Sequence, residues 1–397
     1  MLLRYSNTMF NFKEELNKIK EAGLHRKLLP VSSGSAPKIM VDGKEIIMLA
    51  SNDYLGFCSH PEIKNKAQNA IEKWGAGSGA ARLINGNLTL FDELEKRLAA
   101  FKKTEDALVF STGYMANAGL LSALGTKENI IYSDELNHAS IIDGCRLSRA
   151  TIKIYPHKNV KILESFLKHE SGYQNRIIVT DGVFSMDGDI APVPDLLLLA
   201  EKYDATLIID DAHGTGAIGK SGKGTLEHFE MENSSRTIIL GTMGKAMGSF
   251  GAFVAGTKEL KEYLINKSRS FIFTTALPPS VPAASIQALN IIEKKPAIIS
   301  ELKENASYMR KGLRSLGFNT LESETQIMPV MISSPADTVN MAKELFDKGL
   351  FIQAIRPPTV PENSSRLRLT VMATHEKSDL EKALSILEKT GKKFGII

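Results

Sequence analysis

The sequence predicts an α/β protein with a mostly parallel seven-stranded sheet in a large domain and a smaller C-terminal α+β domain. Three observations carry that prediction. Seven short, β-branched runs recur between residues 107 and 255, separated by stretches of helical length. Two of them, TLII at 206–209 and TIIL at 237–240, are continuously apolar, as strands covered by helices on both faces should be. Polar residues and glycines gather directly behind the runs, where an open parallel sheet places its ligand.

In chain order, residues 1–50 read as a helix and arm, with an amphipathic segment at 12–24 and a Pro/Ser/Gly-rich stretch at 30–37. Residues 51–289 form the large domain. Within it, Leu90, Leu94, Leu98 and Phe101 recur at helical spacing behind Asn87, which is placed to cap that helix. The strands are expected at 107–110, 129–132, 151–155, 176–180, 206–210, 237–240 and 251–255. Pro278, Pro279 and Pro282 then interrupt the pattern. Residues 290–397 form the small domain, which takes in most of a helical stretch at 284–316, a second at 338–348, and strands near 326–332 and 367–371.

With 397 residues, 43% hydrophobic and 24% charged, the chain matches a folded globular protein rather than a disordered one. No apolar run approaches the ~18 residues that span a bilayer. The opening residues lack a secretory apolar region, so a cytoplasmic protein with no membrane association is expected. Lys and Arg exceed Asp and Glu by only 49 to 45 and are scattered, which excludes a nucleic-acid stripe. Cys58 and Cys145 fit neither a disulfide framework nor a metal spacing, and the histidines outside the strand ends show no ligand-like pairing, so no metal is expected.

Four strand ends carry chemistry. Ser111-Thr112-Gly113-Tyr114 follows the first strand, where a helix start leaves backbone N–H groups free for a phosphate. The segment 181–189 follows the fourth, Asp210 to Gly216 the fifth, and Gly241 to Gly248 the sixth. Lys245 lies among small residues after a buried strand. A desolvated ammonium tends to lose its proton there and become a nucleophile for carbonyls. GTMGK taken alone also fits a solvated loop lysine, and its spacing is not that of a Walker A loop. Asp210 and His213 fit an acid–imidazole pair or, equally, a capping carboxylate and a core histidine. His138, behind Asn137, fits a helix start.

Taken together, SNDYLG at 51–56, STGYMAN at 111–117, DGVFSMDGDIAP at 181–192, DDAHGTG at 210–216, GTMGK at 241–245 and RPPTVP at 356–361 leading into SRLRLT resemble the α-oxoamine synthase family. The resemblance spans about residues 30 to 375 and implies the fold type I architecture of pyridoxal phosphate (PLP) enzymes. By that resemblance Lys245 binds the cofactor aldehyde and serves as the base at the substrate Cα. Asp210 pairs with the pyridine nitrogen, His213 with the ring hydroxyl, and His138 stacks on the ring beside Ser185. Gly113, Tyr114, Thr242 and Thr274, the last from a neighbouring subunit, hold the phosphate. Arg368 and Asn52 grip the amino-acid carboxylate, and Arg26 and Thr359 meet an acyl-CoA thioester.

HGTG after the acid is similar to the branch that condenses L-alanine with pimeloyl-CoA, or a carrier-bound pimeloyl thioester, to 8-amino-7-oxononanoate for biotin synthesis. The glycine-using branches usually carry HAVG there and the sphingolipid branch HSIG. A glycine C-acetyltransferase, an aminotransferase and a non-catalytic partner subunit share the fold and stay open. The resemblance further implies a homodimer. Met243, Ala246 and Met247 depart from the commonest pattern around the lysine and are expected to alter the cavity shape.

Overall fold

The computed structural model describes residues 10–21 and 23–397, so the first nine residues of the expected arm lie outside it. Within the amphipathic segment a helix forms at Phe12–Glu21 (α1), but none of its residues is buried. The stretch read as an arm also contains a hairpin. Lys38–Val41 (β1) and Lys44–Met48 (β2) pair antiparallel across Asp42 and Gly43, whose φ angles of 48° and 75° suit a two-residue hairpin turn.

All seven expected runs are strands: Asp106–Phe110 (β3), Asn129–Asp134 (β4), Thr151–Tyr155 (β5), Asn175–Asp181 (β6), Ala205–Asp210 (β7), Thr237–Thr242 (β8) and Ala252–Gly256 (β9). They form one sheet in the order β3-β9-β8-β7-β6-β4-β5. β9 runs antiparallel to both its neighbours, and the remaining pairs are parallel. Alternate residues of a strand face opposite sides. Leu207 and Ile209 therefore pack with Leu196 and Leu199 of the helix Val193–Lys202, while Ile208 packs with Leu120 and Leu121 on the other face. Each such side chain, fully buried, contributes about 1.5–3 kcal/mol. Two-sided burial is why these runs are apolar throughout.

Helix Pro61–Trp74 (α2) precedes Thr89–Lys102 (α3), which buries Leu94, Leu98 and Phe101 as the spacing predicts. Asn87 is not its cap. Leu88 occupies that position, and Asn87 Oδ1 accepts instead from Arg82 Nε at 2.7 Å. The stretch 284–316 is two helices, Ser280–Lys294 and Ala297–Ser315, rather than one. Pro296 supplies no N–H and restricts Lys295 before it, which ends the first helix. Pro282 is tolerated in the opening turn, where N–H groups lack helical partners anyway.

Ile327–Ser333 (β10), Leu350–Phe351 (β11), Gln353–Ile355 (β12) and Ser365–Thr370 (β13) complete the strands, and the helix Lys377–Lys393 follows. β13 lies between β10 and β12, and β11 adds to the N-terminal hairpin beside β2. Gly188, with φ 72°, sits so close to β10 that a Cβ would lie 1.9 Å from the Ile327 carbonyl oxygen. Only glycine allows this approach. Thr325 Oγ1 also donates to the Gly188 carbonyl at 2.8 Å, so the loop after β6 is held against the C-terminal sheet.

Candidate active site

Parallel pairing places the ends of β6 and β7 side by side, and the register matches Asp181 directly with Asp210. Both carboxylates are buried. Asp210 accepts from Asn117 Nδ2 at 2.6 Å and from the Ala212 amide at 3.0 Å. Among the described residues no cationic side chain lies within ion-pair distance of it, whereas the next residue, Asp211, is paired with Lys102 Nζ at 2.6 Å behind the strand. A buried carboxylate left without a countercharge is costly unless a cation completes the site. Asp181 accepts from the His138 amide at 2.7 Å, and burial, reinforced by the charge of Asp210, holds its carboxyl well above the ordinary range.

The loop after β8 brings Lys245 over this edge. Its Nζ lies 2.8 Å from His213 Nε2. Burial pushes the Lys245 amine down to about 8, against the opposing pull of Asp210 and Asp181, and burial also holds His213 well below its ordinary value. His213 Nδ1 is 2.6 Å from the Tyr54 hydroxyl, which is 3.1 Å from Asn52 Oδ1. Arg368, on β13, donates from Nη2 to Asn52 Oδ1 at 3.1 Å and from Nε to the Ser185 carbonyl at 2.5 Å. Lysine, imidazole, phenol, amide and guanidinium thus form one connected row.

His138 is both a helix cap and a member of this edge. It precedes the helix Ala139–Leu147, its Nδ1 accepting from the Ser140 amide at 3.2 Å, and burial lowers its pKa. Nδ1 being an acceptor, the neutral ring carries its proton on Nε2.

Gly113 and Tyr114 open the helix Gly113–Leu124, in the turn whose N–H groups lack helical acceptors. A Cβ at Gly113 would meet nothing within 4 Å, so this helix start offers an open cradle to an anion. Thr242 is buried, and its hydroxyl donates to the Gly251 carbonyl at 2.9 Å while accepting from the Gly244 amide at 3.2 Å. No polar contact joins Thr274, Arg26 or Thr359 to the Lys245 row. Thr274 lies beside Arg82 and Ser111, and Arg26 and Thr359 are exposed. Met243, Ala246 and Met247 are fully buried in the core.

A cavity of about 720 Å³ lies behind β7 around Lys102 and Asp211, against the helix Ala297–Ser315, and Lys245 does not line it. Four residues of the site escaped the reading of the sequence: Asp181, Tyr54, Asn117 and Gln326, whose Nε2 donates to the His213 carbonyl at 2.9 Å. For Asn117 a signal exists, since it falls one helical turn after Gly113 and so shares its face.

The aminotransferase class I and II family matches residues 44–387. The 8-amino-7-oxononanoate synthase of Thermoanaerobacter pseudethanolicus is 49% identical over 97% of this chain and 98% of its own. 8-Amino-7-oxononanoate synthase 1 of Bacillus subtilis is 44% identical over 97% and 98%. Among solved structures, a serine palmitoyltransferase with its PLP internal aldimine gives a TM-score of 0.91 at 31% identity, covering 97% of this chain and 98% of that one. The 8-amino-7-oxononanoate synthase of Francisella tularensis gives 0.77 at 28%, covering 89% and 99%. The chain belongs to the aminotransferase class I and II family and, within it, to the α-oxoamine synthases.

Proposed function

We propose that this protein condenses L-alanine with a pimeloyl thioester, releasing carbon dioxide and the free thiol and giving 8-amino-7-oxononanoate, a step in making biotin. One observation carries the reading: a low-pKa lysine on a neutral histidine faces a buried, uncompensated carboxylate, in a chain whose relatives of that name align with it almost end to end.

The residues fit PLP. When bound, PLP supplies an aldehyde for the amine and a cationic ring that takes up the electron pair left at the amino-acid Cα. Asp210, held by Asn117 and the Ala212 amide, provides the countercharge that keeps the pyridine nitrogen protonated. The cradle at Gly113 and Tyr114 receives the phosphate, with Thr242 near Lys245 and Thr274 reaching the partner subunit's site. His138 presents Nε2–H, and Ser185 lines the same edge. Arg368 and Asn52 hold the carboxylate of L-alanine, orienting the Cα–H bond. With its pKa near 8, Lys245 Nζ takes the Cα proton and later returns one to the product carbon. Arg26 and Thr359 approach the thioester from the open side.

We assign residues 51–289 to the cofactor-binding domain and 290–397 to the small domain that contributes Arg368, with residues 1–50 as helix and arm. A homodimer is supported by Leu83, Ile84 and Phe273, which stand 52%, 78% and 71% exposed on neighbouring segments beside Thr274. Those segments are tied by the bond from the Ala276 amide to the Ala80 carbonyl at 3.0 Å. Among the described residues no helix is long and apolar enough to cross a membrane, in keeping with a cytoplasmic site of action.

The test is thiol release measured for L-alanine with pimeloyl-CoA against glycine with acetyl-CoA. Release with the first pair is expected. Release with the second alone would identify a glycine C-acetyltransferase, conversion of PLP to its amine form by an amino acid without thioester would identify an aminotransferase, and no turnover would point to a non-catalytic subunit.

A further inference from the structure

Tyr54 is completely buried and has no part in the chemistry above, yet its hydroxyl joins the Arg368 side of the site to the Lys245 side. A phenol has one proton to give and lone pairs to receive another. Asn52 Oδ1 can only accept, and it already receives Arg368 Nη2 at 3.1 Å. If Tyr54 donates to Asn52, its oxygen is left as an acceptor toward His213 Nδ1, which then carries the imidazole proton. His213 Nε2 is thereby bare and accepts from the Lys245 ammonium at 2.8 Å. Each of the four bonds in the row then joins a donor to an acceptor. The opposite arrangement, with Tyr54 donating to Nδ1, turns Nε2–H against an ammonium, donor against donor.

We infer that Tyr54 is a positioning residue: its hydroxyl, oriented by Asn52, fixes His213 as the Nδ1–H tautomer, so that Nε2 faces the free amine of Lys245 as an acceptor. The inference rests on Lys245 being the reactive amine of the site. Because the imidazole is buried and stays neutral, the choice of tautomer decides whether Lys245 meets a donor or an acceptor. The charged amine is stabilised by the acceptor and loses that support when the tautomer is no longer held.

The experiment uses the full-length protein without cofactor. Nitrogen-15 spectra of histidine-labelled protein, with the His213 signals identified by their loss in His213→Asn, are expected to show a protonated Nδ1 and a bare Nε2. The pKa of the Lys245 amine is read from the pH dependence of its labelling by acetic anhydride, followed by mass spectrometry. Tyr54→Phe removes the acceptor for Nδ1–H, and Asn52→Leu frees the Tyr54 proton to turn toward Nδ1. Both are expected to lower the Lys245 pKa by about one unit, a roughly tenfold rise in labelling rate at pH 6. A mere packing role for Tyr54 would not move Asn52→Leu in the same direction. Protonated Nε2 in the wild type, or a Lys245 pKa unchanged or raised in either folded variant, overturns the inference. Since no turnover is measured, failure of the thiol-release assay and failure here are separate results.

Discussion

Lys245 is costly to the cofactor-free fold, because burial disfavours its ammonium more than Asp210 and Asp181 favour it. Its folded pKa of about 8 lies below the ordinary 10.5, so the native state binds fewer protons than the unfolded one between those values. Stability therefore rises with pH across that window, and the full penalty applies below it. Lys245→Met should raise the melting temperature of the cofactor-free protein at pH 7. That gain should shrink as pH climbs from 8 toward 10.5, while turnover of the reconstituted enzyme falls by at least about 10³-fold, removing both the amine and the base. Arg368 offers a second residue-level test. Two of its N–H groups are anchored on Ser185 and Asn52, a fork that lysine cannot reproduce. Arg368→Lys should raise the KM for L-alanine by roughly 10- to 100-fold with a smaller effect on kcat, the loss of one charge-assisted bond pair. An unchanged KM in steady-state kinetics would place the carboxylate elsewhere.

Among the elements, the strand ends hold their places through buried ionic ties. His157, just after β5, sits between Asp134 at the end of β4, 3.0 Å away, and Asp189 in the loop after β6, 2.9 Å away. Burial alone would lower its pKa, but the bonds to the two acids outweigh it and raise the value to about 9. With the folded pKa above the ordinary 6.5, the contribution to stability is full below 6.5 and disappears as pH passes 9. The difference in melting temperature between wild type and His157→Gln should follow that curve, and a difference independent of pH would exclude ionic clamping. Behind β7, Asp211 accepts from Lys102, from the Thr225 amide at 3.1 Å and from Thr225 Oγ1 at 2.5 Å. Lys102→Ala strands that carboxylate in the interior and should cost about 3–5 kcal/mol in urea unfolding. Adding Asp211→Asn should recover part of the loss, since the uncompensated charge is then gone.

For the molecule as a whole, the exposed Leu83, Ile84 and Phe273 beside Thr274 are more apolar surface than a loop needs in water, and a second copy of the chain would cover them. For the homodimer proposed above, Ile84→Asp is expected to shift sedimentation from dimer to monomer and to lower activity on dilution, the proposed contact of Thr274 with the partner's site being lost. An active monomer at all dilutions would remove the shared-site reading. Phe12, Leu16 and Ile19 of α1 are also open, and residues 1–9 precede them outside the described structure.

The strands of the main sheet and the motifs at their ends were legible in the chain alone. Continuous apolar runs and glycine-rich turns are local signals, and Asp210, His213 and Lys245 each follow a run that could be read alone. Shorter or half-exposed elements escaped that reading: β1 has four residues and leaves Met40 exposed between the buried Ile39 and Val41, and β11 has two residues, too few for a pattern. Which side chains meet was settled in three dimensions. Asn117 reaches Asp210 across 93 residues, Tyr54 reaches His213 across 159, and Arg368 reaches Ser185 across 183. Such meetings depend on strand order and on how the C-terminal sheet packs against the first, and no local propensity encodes a contact whose partner lies half a chain away.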